Sequence, residues 1–175
     1  LTKELLGFAR GGKYEVSATD LNALIKNVNM MFGRTKREIR IHGKYKKDLW
    51  AVEVDQGQIQ QMLLNLYVNA GQAMPEGGDL TIQTENITLD EQNIKLFEIT
   101  PGKYIKLSGA DTGVGMDDAT IDKIFDPFFS TRDIGQGVGL GLASVYGIVK
   151  NHGGFINVYS KKGAGATFNI YLPAS

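Results

Sequence analysis

Asn65 and Asn69 stand one helical turn apart in QMLLNLYVNAGQAM (61–74), a stretch that is otherwise apolar almost all the way round. With Gln58, Gln61 and Gln72 they make one polar stripe, beside a face of Ile59, Met62, Leu63, Leu66, Ala70 and Ala73. Leu64, Tyr67 and Val68 cover most of the rest. Burying an unpaired amide costs about 1–3 kcal/mol, so the stripe is expected to face water, backbone or a ligand. An amide carbonyl is a hard oxygen that suits magnesium. For the helix taken alone, a solvated polar face is the simpler account.

A second chemistry-bearing stretch is DTGVGM, with Asp111 directly after a predicted strand and Gly113 and Gly115 behind it. A carboxylate there can accept a hydrogen bond from an exocyclic amine while a flat ring lies against bare backbone. A plain Asp-Gly turn fits the same letters. The third stretch is IFDPFFSTRDIGQGVGLGL, where Gly135, Gly137, Gly139 and Gly141 alternate and lead into a helix. A helix N-terminus offers free N–H groups and a positive dipole end to a phosphate.

Two familiar phosphate motifs fail here. Leu140, Leu142 and Ser144 occupy the candidate third-glycine positions of a Rossmann fingerprint, and no Asp or Glu follows Asp133 to hold a ribose. Gly7, Gly12 and Lys13 have P-loop spacing, but Tyr14 replaces the required Ser or Thr, and the segment follows a helix instead of a strand.

The elements that must position these groups can be read from periodicity. Leu1, Leu5 and Phe8 share a helical face that Gly11 and Gly12 end. A second helix is expected from Ser17, with Leu21, Leu24, Ile25, Val28 and Phe32 as its core stripe. EIRIHGKYKKDLWAVEVD reads as a pair of strands around a lysine-rich turn. Asp55 caps the asparagine helix, and Pro75 with Gly77 and Gly78 stops it. LTIQTENI and KYIKLSGAD alternate as half-buried strands, and a short helix is expected over 119–125. LGLASVYGIVKNHGG is a helix with a glycine stop, before the strands FINVYS and ATFNIYLP. The expected fold class is α/β (α+β), a two-layer sandwich with helices on one face of a mixed, mostly antiparallel sheet.

The chain has 175 residues, 42% hydrophobic and 22% charged, which suits one ordinary globular domain and makes disorder a poor reading. Net charge is zero, which argues against a dedicated nucleic-acid domain. Cysteine is absent, excluding disulfides, thiolate metal sites and cysteine nucleophiles. No apolar run approaches the roughly 20 residues that span a bilayer, so a soluble, cytoplasmic segment is expected, whether or not a parent protein is membrane-anchored. The abrupt opening inside a helix suggests a piece of a longer protein.

Taken in order, QMLLNLYVNAGQAM, DTGVGM, IFDPFFSTR, GQGVGLGLASVYGIVKNHGG and GAGATFNIYLP resemble the N, G1, F, G2 and G3 boxes of sensor histidine kinases. Their ATP-binding domain has the Bergerat fold, shared with the gyrase, Hsp90 and MutL ATPases. The similarity runs from about Asp20 to Pro173. It implies ATP and Mg2+ as ligands, with Asn69 on the magnesium and Asn65 near the phosphates, where it serves catalysis with Arg132. Asp111 is similar to the adenine-reading carboxylate, and Gly113 and Gly115 to the glycines shaping that pocket. Phe128 and Phe129 resemble the aromatic pair anchoring a lid, and Arg132 the basic residue that approaches the terminal phosphate. Gly137, Gly139, Gly141 and Leu142 resemble the lid and phosphate-binding turn. Thr131 and Thr167 complete the implied nucleotide-binding set.

Three positions depart from the family pattern. Gln72 stands where many members carry lysine, removing one phosphate contact and shifting weight to Arg132. Ala73 replaces an aromatic that some relatives place over adenine. Gly109 and Ala110 stand where a bulkier residue and then Ser or Thr are common.

The resemblance implies a protein-histidine kinase domain (14–175) that passes the γ-phosphate of Mg-ATP to a histidine on a separate dimerisation domain, for relay to a response-regulator receiver domain. Residues 1–13 are then the tail of the second dimerisation helix. The parent is expected to be a homodimer and the isolated chain a monomer that binds no nucleic acid. His42 and His152 are each followed by glycine instead of the acidic residue of a phosphoacceptor box, so both are read as structural or surface residues. The alternatives are a gyrase-type ATPase clamp, a serine kinase of the anti-sigma class, and an interaction module that binds no nucleotide. A clamp ATPase carries a water-activating glutamate one turn before the magnesium asparagine, where this sequence has Asn65.

Overall fold

The computed structural model describes residues 14–91, 99–126 and 141–175. Seven strands and four helices are described: β1 (Ser17–Thr19), α1 (Leu21–Thr35), β2 (Ile39–Lys44), β3 (Val52–Val54), α2 (Gln56–Ala73), β4 (Gly78–Leu89), β5 (Gly102–Asp111), α3 (Asp118–Ile121), α4 (Gly141–Asn151), β6 (Phe155–Ser160) and β7 (Ala166–Pro173). Five strands form one sheet in the order β2-β4-β5-β7-β6. Only the β2–β4 pair is parallel; the other three pairs are antiparallel.

Helices α1, α2 and α4 bury their apolar stripes against one face of this sheet. Leu21, Leu24, Ile25, Val28 and Phe32 of α1 are all buried, as their spacing predicts. They share one core with Ile59, Met62, Leu63 and Tyr67 of α2, Val145, Ile148 and Val149 of α4, and Leu80, Ile82, Ile105, Leu107, Ile170 and Leu172 of the sheet. Each large side chain so buried contributes about 1.5–3 kcal/mol. On the other face Ser108 Oγ donates to Asn169 Oδ1 at 2.7 Å, and Asn169 Nδ2 donates to Asn157 Oδ1 at 3.0 Å.

Three expectations change. Helix α1 starts at Leu21, not at the expected Ser17: Asp20 is its N-cap, accepting from the Ala23 amide at 3.3 Å, and Ser17–Thr19 pairs with β3 instead. β2 and β3 are not partners. β2 lies parallel to β4, which requires a crossover, and α2 supplies it; the apolar alternation shows that both segments are extended but not which neighbour each takes. Finally, Tyr67 and Val68 part company, Tyr67 being 1% exposed and Val68 48%. The Tyr67 hydroxyl donates to Asn29 of α1, which in turn donates to the Tyr45 hydroxyl, so the phenol enters the core with its polar tip satisfied.

Candidate nucleotide-binding site

α2 runs across the sheet because both its ends are fixed. At its start Asp55 is the N-cap, accepting from the Gln58 amide at 3.1 Å and from the Glu15 amide at 2.8 Å. The Asp55 amide donates to Nε2 of His152 at 3.1 Å, while Nδ1 of the same ring pairs with the Ile148 carbonyl at 2.8 Å. These bonds require the neutral tautomer with its proton on Nδ1, and they give His152 a structural role. Gln58, expected on the polar stripe, is buried; its Oε1 accepts from Asn151 Nδ2 at 3.2 Å, joining α2 to α4. The amide is satisfied by a neighbouring helix instead of by solvent.

At the other end of α2 the Ala73 carbonyl accepts from the Val114 amide at 2.9 Å. This contact dictates Gly113, since a Cβ there would lie 2.4 Å from the Ala73 oxygen. Gly115 adopts φ +70°, and a Cβ would come within 2.0 Å of the Lys161 carbonyl. The glycines of DTGVGM therefore serve backbone packing: the turn is clamped between α2 and the β6–β7 connection. Thr112 braces it further, donating its amide to the Asp79 carbonyl and accepting the Asp79 amide on Oγ1.

Asp111 ends β5 inside this frame and is buried. Its Oδ1 accepts from the Gly113 amide at 2.8 Å and the Ala166 amide at 3.3 Å. Oδ2 accepts nothing among the described residues. Burial pushes this carboxyl above the usual aspartate range, and the two backbone donors pull it partly back. A buried carboxylate with one oxygen fixed and the other bare is an acceptor awaiting a donor.

Asn69 lines the same cleft from α2, with Leu66 and Ala70 beside it; Ile82, Gly109, Asp111 and Phe168 form the opposite wall. No described residue hydrogen-bonds the Asn69 side chain, which is half-buried. Asn65, one turn earlier, accepts from Gln61 Nε2 at 3.0 Å and lies outside the residues lining this cleft. Its amide cannot take a proton. No cluster of three or more His, Asp or Glu exists among the described residues, so any metal here would rest on amide oxygen and on groups brought by the ligand.

Gly141 opens α4 and is exposed; Leu142 follows and joins an apolar cluster with Ile124, Phe168, Leu66 and Met116. Thr167 is not brought to the cleft. It pairs with Ala110, and the alternation of the strand turns both away from the face that carries Asp111 and Ala166. The relevant group at this end of β7 is the Ala166 amide, which a reading by side-chain type overlooks. Phe128, Phe129, Thr131, Arg132, Gly137 and Gly139 lie outside the described residues. His42 stands on the outer face of β2, its Nε2 2.8 Å from Asp79 Oδ1, where Arg40 also binds. No described helix is long and apolar enough to cross a membrane.

Comparison with known proteins agrees with this fold. The chain is 39% identical over 175 residues to sensor kinase CckA of Brucella abortus (strain 2308), covering 99% of this chain and 18% of that protein. It is 34% identical to sensor histidine kinase ZraS of Escherichia coli (strain K12), covering 100% of this chain and 35% of the relative. The chain thus spans about a fifth to a third of these relatives. Among solved structures, the catalytic domain of histidine kinase ThkA superposes with a TM-score of 0.75 at 29% identity, covering 91% of this chain and 96% of that one. Full-length ShkA in complex with AMPPNP superposes with a TM-score of 0.73 at 27% identity, over 99% of this chain and 35% of that one. The model of the histidine kinase-, DNA gyrase B- and HSP90-like ATPases matches residues 54–175, and the chain belongs to that family.

Proposed function

We propose that this chain is the ATP-binding catalytic domain of a sensor histidine kinase, which transfers the γ-phosphate of ATP to a histidine on a dimerisation domain of the same parent protein. The observation that carries the reading is the placement across one cleft of two groups with no hydrogen-bond partner among the described residues: Asp111 Oδ2 on the sheet and the Asn69 amide on α2. In this reading Oδ2 accepts the exocyclic amine of adenine. The turn clamped by Ala73 and Lys161 keeps the carboxylate from retreating.

The donor set fits a hard cation held through one amide oxygen, with phosphate and water completing the shell. Asn69 would hold magnesium there, and the bound ion would neutralise phosphate charge. The start of α4 is proposed to contribute backbone amides to the phosphates, since a helix N-terminus favours anions. Arg132, outside the described residues, is the proposed cation for the terminal phosphate. The protein's part is positioning and charge neutralisation, as phosphoryl transfer requires.

Asn65 is an amide tied to Gln61 and supplies no base for water. That favours transfer over hydrolysis. Residues 1–13 are proposed to be the tail of the second helix of the dimerisation domain, and the parent protein is proposed to be a homodimer. ThkA has been solved in complex with the response regulator protein TrrA, and its chain there superposes on this one with a TM-score of 0.73, which supports a response regulator as final acceptor. The test is to mix this chain with its dimerisation domain and γ-labelled ATP. Acid-labile phosphohistidine on the added domain is expected; label on His42 or His152, or release of inorganic phosphate alone, contradicts the assignment.

A further inference from the structure

The cleft does not end at Asp111. Leu63, Tyr67, Leu107 and Ile170 also line it, and all four belong to the apolar core. Gly109 precedes Asp111 by two residues on the same face of β5, about 7 Å deeper at roughly 3.3 Å per residue. Its cross-strand neighbours are Ile82 and Phe168, so one row of the sheet has large side chains on both flanks and none in the middle. Among the described residues a Cβ at position 109 would meet only the Ile82 Cδ1, at 3.6 Å, an ordinary contact distance. The wall supplied by α2 is also low, because Ala70 lines the cavity there. Two small residues on opposite walls leave a recess with apolar sides beyond the carboxylate.

We propose that this recess is an apolar subsite that accepts a small alkyl group on the exocyclic nitrogen of an adenine nucleotide. The proposal rests on the reading that Asp111 Oδ2 receives that nitrogen. A secondary amine keeps one N–H for Oδ2 and directs its alkyl group over Gly109. A tertiary amine has no N–H left to give.

The test is a calorimetric titration of the chain, in magnesium, with ADP, N6-methyl-ADP and N6,N6-dimethyl-ADP. The monomethyl nucleotide is expected to bind as tightly as ADP or up to about fourfold tighter, the gain from burying one methyl group. The dimethyl nucleotide is expected to bind about tenfold or more weakly, having lost its bond to the carboxylate. Gly109→Ala, which fills the recess at an ordinary contact distance, is expected to remove the tolerance of the methyl group, read as the ratio of monomethyl to unmodified nucleotide affinity in the same variant. The proposal is overturned if ADP binds but the monomethyl compound is weakened tenfold or more in the unaltered protein. It is equally overturned if Gly109→Ala leaves the order of the three ligands unchanged. Failure of ADP itself to bind the folded chain would instead remove the nucleotide reading, and this subsite with it.

Discussion

The backbone amide of Ala166 donates to Asp111 Oδ1 at 3.3 Å, tying the start of β7 to the end of β5 across 55 residues of sequence. With the Gly113 amide on the same oxygen at 2.8 Å, the carboxylate is oriented before any ligand arrives. The carboxyl is built into the sheet, and its second oxygen accepts no bond among the described residues.

Asp111→Asn separates binding from folding. An asparagine keeps an acceptor for the two amides but presents NH2 where the ligand's amine needs an oxygen. Adenine-nucleotide affinity should fall about 10–100-fold, the worth of a hydrogen bond to a charged group. Folding stability at neutral pH should not fall. The folded-state pKa of Asp111 is raised by burial, so its ionised form weakens the fold; the stability it contributes is fully present below the unfolded pKa and is lost as pH rises through the folded one. Calorimetric titration beside thermal unfolding checks both halves, and a variant that loses binding only because it unfolds contradicts them.

The same carboxyl sets a pH dependence for binding. Because Oδ1 already holds two N–H donors, protonation falls on Oδ2 and turns the acceptor into a donor. Affinity should therefore decline on acidification, beginning above the pH at which an ordinary aspartate titrates. Dividing the affinity of the unaltered chain by that of Asp111→Asn at each pH cancels the nucleotide's own protonation. The ratio should fall towards one in acid. A flat ratio would mean that the carboxylate takes no part.

Asn69→Ala removes the proposed metal ligand but leaves Asp111 untouched. Transfer in the presence of magnesium should drop below detection, while metal-free binding of ADP stays within a few-fold of the parent. Full magnesium-dependent transfer in this variant would exclude Asn69 from the metal's shell.

Two glycines predict opposite outcomes. Gly113→Ala forces a Cβ into the Ala73 carbonyl, 2.4 Å away, and should cost about 1–3 kcal/mol of stability along with nucleotide affinity. Gly141→Ala meets no described residue within 4 Å at the start of α4 and should be neutral or stabilising by up to about 1 kcal/mol. Denaturant unfolding of the two variants side by side makes the comparison.

Much of the fold was legible because periodicity and burial follow the same rule. The stripe of α1, the stop of α2 at Met74 and the alternation of β4 and β5 are direct consequences of which residues leave water. Pairing was not legible for β2 and β3, since an alternating strand does not name its neighbour. The candidate cleft was legible at Asn69 and Asp111, two polar residues in apolar contexts that the fold brings to one cavity. It was misread at Gln58, whose partner Asn151 lies 93 residues away, and at Thr167, where strand parity overrules side-chain chemistry. The Ala166 amide left no trace in side-chain identity, because the donor is backbone.

The most direct test of a nucleotide in this cleft is an amide-resolved NMR titration of the chain with magnesium and ADP. The account predicts that the Asn69 side-chain amide and the backbone amides of Gly113 and Ala166 shift together and saturably, while His42 and Lys44 on the outer face stay in place. Saturable binding that moves the outer face, and leaves Asn69, Gly113 and Ala166 unchanged, would contradict it.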